Sequence, residues 1–132
     1  MKKMKGLTFM LLISLCAFGL TACKDGGNNA NYEQITAKEA KDIMDAEDDY
    51  IIIDARTEEE FLEGHIEDAI LIPEYEIAKK AEKELPDKDA LILVYCRSGR
   101  RSKIASEELV KLGYTNVKEF GGIIDWPYET VN

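Results

Sequence analysis

The sequence predicts an α/β domain with a central parallel sheet and helices on both of its faces. Three observations carry that expectation. Short apolar runs rich in β-branched residues, at Tyr50 to Ile53, Ala69 to Ile72 and Ala90 to Tyr95, alternate along the chain with helical stripes. The runs are continuously apolar, which suits strands covered on both faces. At 132 residues, with 45% hydrophobic and 33% charged content, the chain has room for one such domain and not for two.

The domain is expected to begin near Tyr32. Thr36-Ala37-Lys38-Glu39 has the capping-box form, and Ala40, Ile43 and Met44 recur at helical spacing, so a short helix is expected to about residue 45. The Tyr50 to Ile53 strand follows. Thr57 with Glu60 makes a second capping box, opening a brief helix that carries Phe61 and Leu62 and stops at Gly64. After the strand at Ala69 to Ile72, Pro73 interrupts the chain. Ile77, Ala78, Ala81 and Leu85 then trace one face of an amphipathic helix, broken at Pro86-Asp87. Ala90 to Tyr95 is the most apolar strand and is expected at the centre of the sheet. Ala105, Leu109 and Leu112 stripe the next helix up to Gly113, and Val117 to Phe120 forms a last short strand before Gly121-Gly122.

Residues 1–22 read differently. Lys2, Lys3 and Lys5 precede an apolar run from Leu7 to Leu20, and no acidic residue is present, which is the pattern of a signal peptide. The run is shorter than the roughly 18 residues a membrane-spanning helix needs. Leu20-Thr21-Ala22-Cys23 resembles the bacterial lipobox, which implies lipidation at Cys23, export, and a lipid anchor on a bacterial membrane. Ordinary cleavage near Ala22, leaving Cys23 a free thiol, is the alternative. Residues 23–31, with two glycines and three asparagines, read as a flexible tether, and residues 32–132 as the folded domain.

Charge and cysteine content narrow the function. Without the three leader lysines, 14 basic side chains stand against 26 acidic ones, a net charge of −12, so nucleic acid is excluded as a partner. Cys16 leaves with the leader and Cys23 is taken up by lipid, so the domain keeps Cys96 alone and forms no internal disulfide. A lone thiol sent to an oxidising compartment points to sulfur chemistry.

Cys96 ends the most apolar strand, where parallel α/β sheets bind ligands. The segment Cys96-Arg97-Ser98-Gly99-Arg100-Arg101-Ser102 joins that strand to a helix, so N–H groups of the turn can converge on the sulfur and favour its thiolate. Arg97, Arg100 and Arg101 are three of the four arginines in the chain, and guanidinium forks suit an oxyanion. A buried structural cysteine beside a solvated basic loop is the alternative.

Three motifs then give a family resemblance over Tyr32 to Trp126. Asp54-Ala55-Arg56 with Glu60-Phe61 and Gly64-His65-Ile66 is similar to the first signature of single-domain rhodaneses. Cys96 to Ser102 resembles their active loop, C-R-x-G-x-R-S, and Gly121-Gly122 with Trp126 resembles their closing G-G-x-x-x-W. The resemblance implies a rhodanese-like fold and sulfurtransferase activity. Cys96 would take sulfur from thiosulfate or a polysulfide, become a persulfide, and pass the sulfur to a thiol or cyanide. Arg97, Ser98, Gly99, Arg100, Arg101 and Ser102 would bind the donor. No cofactor is implied, and a monomer is expected.

Two other readings stay open. One is a non-catalytic interaction module or a sulfur carrier. The other is a cysteine-dependent phosphatase or arsenate reductase, which needs an arginine six residues after the cysteine, where this chain has Ser102. His65, the single histidine, reads as structural, since one His with one Cys cannot close a zinc site. Asp54 with Arg56 reads as a structural ion pair, with a place in the pocket wall as the alternative. Trp126 reads as a packing lid. The tail after Trp126 is shorter than the family pattern, so a truncated last helix is expected.

Overall fold

The computed structural model describes residues 31–132, so the stretches read above as leader, lipobox with Cys23 and, but for Asn31, tether lie outside the described residues. The described chain runs β1 (Glu33–Gln34), α1 (Ala37–Ala46), β2 (Ile51–Asp54), α2 (Glu58–Glu63), β3 (Ile70–Leu71), α3 (Ile77–Glu84), β4 (Ile92–Cys96), α4 (Arg100–Lys111) and β5 (Val117–Gly122). Single 3₁₀ turns lie at Glu74–Glu76 and Ile123–Asp125. All five strands are parallel, in the order β1-β5-β4-β2-β3, with β4 at the centre.

Each face of the sheet is sealed by its own core. On one side Ile53, Ile92, Val94 and Val117 meet Ile77, Ala81 and Leu85 of the α3 segment and Ala105 and Leu109 of α4. On the other, Ile52, Leu93, Tyr95 and Phe120 pack with Ala40 of α1, Ile66 and Trp126. This two-sided burial is what makes the β4 sequence continuously apolar.

The capping boxes at Thr36 and Thr57 form with both reciprocal bonds. Ala78 departs from expectation: it is exposed, because Ile77, Ala81 and Leu85 at four-residue spacing already define the buried line of α3. The strand β1 carries no apolar signal, since both residues are exposed. It forms by backbone pairing to β5, with Lys118 bonded to Glu33. In place of a truncated last helix, Ile123–Asp125 makes one 3₁₀ turn, and Val131 returns to pair with His65 in an antiparallel bridge. Among the described residues, no helix is long and apolar enough to cross a membrane.

Candidate active site

The site is built by the sharp passage from β4 into α4. Cys96 closes the strand, and Gly99, at φ 106°, bends the loop left-handed so that α4 starts at once. Unlike α1 and α2, α4 has no side-chain cap and no acidic residue in its first turn. At its start the N–H of Gly99, the N-cap residue, donates to Cys96 Sγ at 3.0 Å.

Cys96 is 1% exposed. Burial pushes its thiol up. The Ser102 hydroxyl and the N–H groups of Ser102, Gly99 and Ser98 oppose this strongly enough to hold it below its ordinary value. The hydroxyl has one proton, and Glu119 Oε1 lies 2.6 Å from Ser102 Oγ. The Gly99 N–H donates to the sulfur itself, so part of the sulfur's stabilisation does not depend on that hydroxyl.

The loop is set by what lies beneath it. Between Val94 and Cys96 the β4–β5 register shifts, and Cys96 comes opposite Gly122. A Cβ built on Gly122 would stand 2.0 Å from the Arg97 carbonyl oxygen and 2.5 Å from Ser98 Cα, so only glycine lets the loop lie on β5. The Ile124 N–H donates to the same Arg97 carbonyl at 3.2 Å.

The three loop arginines divide. Arg97 and Arg100 are exposed and make no ion pair among the described residues. Arg101 is held in a two-pronged grip by Glu60, at 2.7 and 2.8 Å. That guanidinium, with the Thr57 cap, brings the Glu60 carboxyl down to about 2. Glu60 thus closes the α2 capping box and fixes one wall of the loop, a second role that its local sequence does not disclose. Ser98 is exposed, while Gly99 and Ser102 are buried. Position 102, where a phosphatase would place its arginine, holds a serine turned toward Glu119.

The other candidate residues make contacts within the fold. Asp54 is fully buried. It accepts from Arg56 Nε at 3.0 Å and Nη2 at 2.7 Å, and from the Tyr95 hydroxyl at 2.6 Å. Burial and the Asp54 charge raise the Tyr95 phenol far above its usual range, keeping it a donor. Arg56 also reaches the Gly64 carbonyl at 2.6 Å, and Tyr95 accepts from the Ile66 N–H at 3.1 Å, so this network ties the end of β2 to the segment after α2. His65 stacks on Phe61 with ring centroids 3.7 Å apart, its Nδ1 2.9 Å from the Phe61 carbonyl oxygen. Trp126 packs between Phe120 and Tyr128 in the core opposite that of Cys96. Among the described residues no three His, Cys, Asp or Glu side chains are grouped to hold a metal.

This fold fits what comparison with known proteins shows. The model of the rhodanese-like domain matches residues 36–127, and the chain belongs to the rhodanese-like sulfurtransferase family. It is 40% identical over 73 residues to the thiosulfate sulfurtransferase PspE of Escherichia coli, across 55% of this chain and 70% of that protein. It is also 40% identical over 80 residues to a sulfurtransferase of Allochromatium vinosum, across 60% of this chain and 73% of that one. Among solved structures, a rhodanese with anions from E. coli superposes with a TM-score of 0.59 at 36% identity, covering 63% of this chain and 98% of that one. Against three longer curated relatives the chain spans 23%, 62% and 55% of their length.

Proposed function

We propose that the domain transfers sulfane sulfur from thiosulfate or a polysulfide, through a persulfide on Cys96, to a thiophilic acceptor such as a thiol or cyanide. The observation that carries this reading is the buried Cys96 sulfur, 3.0 Å from the Gly99 N–H at the start of α4, in a loop bearing the exposed Arg97 and Arg100. The thiolate attacks the donor's outer sulfur, and the donor's S–S bond breaks with its electron pair leaving on sulfite or a shortened polysulfide. The acceptor then attacks the outer sulfur of the Cys96 persulfide, and Cys96 departs as a thiolate.

Both half-reactions place negative charge on sulfur in the same cradle, so one set of N–H groups serves both. Arg97 and Arg100 draw the anionic end of the donor at short range, since screening limits their field to about 8 to 10 Å on a protein that is otherwise acidic. Arg101, held by Glu60, acts as a wall. The resemblance of Leu20 to Cys23 to a lipobox adds the proposal that the domain is exported and tethered to a bacterial membrane by lipid.

Steady-state transfer from thiosulfate to cyanide by the full-length chain tests the scheme. Parallel double-reciprocal lines are expected, with no turnover in Cys96→Ala. Replacing Arg97 and Arg100 together by alanine should raise KM for thiosulfate about tenfold while changing kcat less, as expected for loss of uniform binding. Turnover retained by Cys96→Ala would contradict the scheme. No turnover with thiosulfate, nor with a polysulfide in its place, would favour a protein-fed sulfur carrier or an interaction module.

A further inference from the structure

The sulfur-transfer scheme leaves one buried acidic residue near the loop without a role. Glu119 is 3% exposed, and a carboxyl group in such a place requires hydrogen-bonding partners. Alternation along β5 puts it on the same face as Val117, and its register partner Val94 shares a face of β4 with Cys96. Glu119 therefore lies under α4, in the layer that holds the sulfur.

There its Oε1 gathers two donors, the Ser102 hydroxyl at 2.6 Å and the Gly121 N–H at 2.8 Å. Ser102 Oγ also stands 2.9 Å from the Gly99 carbonyl oxygen. A Cβ placed on Gly99 would come 3.8 Å from the same Glu119 oxygen. One oxygen atom thus joins the first turn of α4 to the end of β5 beside Gly99, whose N–H reaches the sulfur. An apolar residue of similar size would fill this space with less desolvation. The polar tie is what the carboxyl group adds.

We propose that Glu119 is a positioning residue for Cys96, acting through Ser102. It fixes where the Gly99 and Ser102 N–H groups point and thereby sustains the thiolate. This deepens the sulfurtransferase reading and rests on it for its catalytic meaning, while its test needs no sulfur donor.

Alkylation of Cys96 by iodoacetamide in the full-length protein, followed by peptide mass across a pH series, gives the ionisation midpoint of the thiol. In Glu119→Leu the midpoint should rise by about one unit, slowing alkylation at pH 7 about tenfold. In Glu119→Gln, whose amide oxygen can accept both bonds, it should stay within about 0.3 of the wild-type value. A merely structural role would lower the unfolding temperature of Glu119→Leu without moving the midpoint of the folded protein. An unchanged or lowered midpoint in folded Glu119→Leu overturns the proposal, the lowered one by showing that the carboxylate only keeps the Ser102 proton from the sulfur. Should Glu119→Leu not fold, Glu119→Met, which keeps the volume without the acceptor, takes its place under the same criteria, and a Glu119→Gln midpoint displaced by more than about half a unit overturns the proposal in either case. Wild-type protein that alkylates as expected but forms no persulfide would remove the sulfurtransferase reading and leave the positioning role standing.

Discussion

Gly122→Ala is expected to cut sulfur transfer by about a hundredfold or more, because a reacting group displaced by about 1 Å can cost that much. The new Cβ would fall 2.0 Å from the Arg97 carbonyl oxygen and 2.4 Å from its carbon, and these are backbone atoms that no rotamer change can move aside. Either the Cys96 loop lifts or the end of β5 sinks, and both pull the Gly99 N–H away from the sulfur. Overpacking of this kind also costs about 1–3 kcal/mol of stability, or more. Kinetics and denaturant unfolding on the same preparation separate the two effects. A folded Gly122→Ala protein with wild-type turnover would show that the loop does not depend on this contact.

The second large effect is expected away from the sulfur. Asp54→Ala leaves Arg56, only 5% exposed, without its anion, and also strips the Tyr95 hydroxyl of its acceptor. Removing one partner of a buried pair typically costs about 3–5 kcal/mol, a large part of the 5–15 kcal/mol that holds a domain of this size together. The double variant Asp54→Leu with Arg56→Met removes both charges and should recover about 2 kcal/mol or more of that loss. Chemical unfolding of the wild type, Asp54→Leu, Arg56→Met and the double variant measures the coupling. Additive losses would mean that the two side chains do not stabilise one another.

The strands and helices were legible because local chemistry and tertiary role agree in them. Tyr50 to Ile53 and Ala90 to Tyr95 are apolar throughout because both faces of the sheet are covered, and the boxes at Thr36 and Thr57 announce the helices that follow. The strand at Glu33–Gln34 was not legible, since two exposed polar residues hold their place by backbone pairing alone. At the site, Cys96 and its arginines could be read from one continuous loop. The fate of Arg101 could not, because its partner Glu60 lies 41 residues away and already has a local explanation as a cap. Glu119 is similar: only the register with Val94 shows that it faces inward, whereas its neighbour Lys118 pairs with Glu33 at the sheet edge.

The central claim is that Cys96 carries the transferred sulfur. It is tested most directly by mass analysis of the peptide containing Cys96 after the full-length protein has been incubated with thiosulfate and, separately, with polysulfide. The expected result is a gain of one sulfur atom on Cys96 with at least one donor, removed by cyanide or dithiothreitol, with no such gain at that position in Cys96→Ala. A Cys96 peptide that gains no sulfur from either donor, in protein that is folded and whose thiol still alkylates, would contradict it.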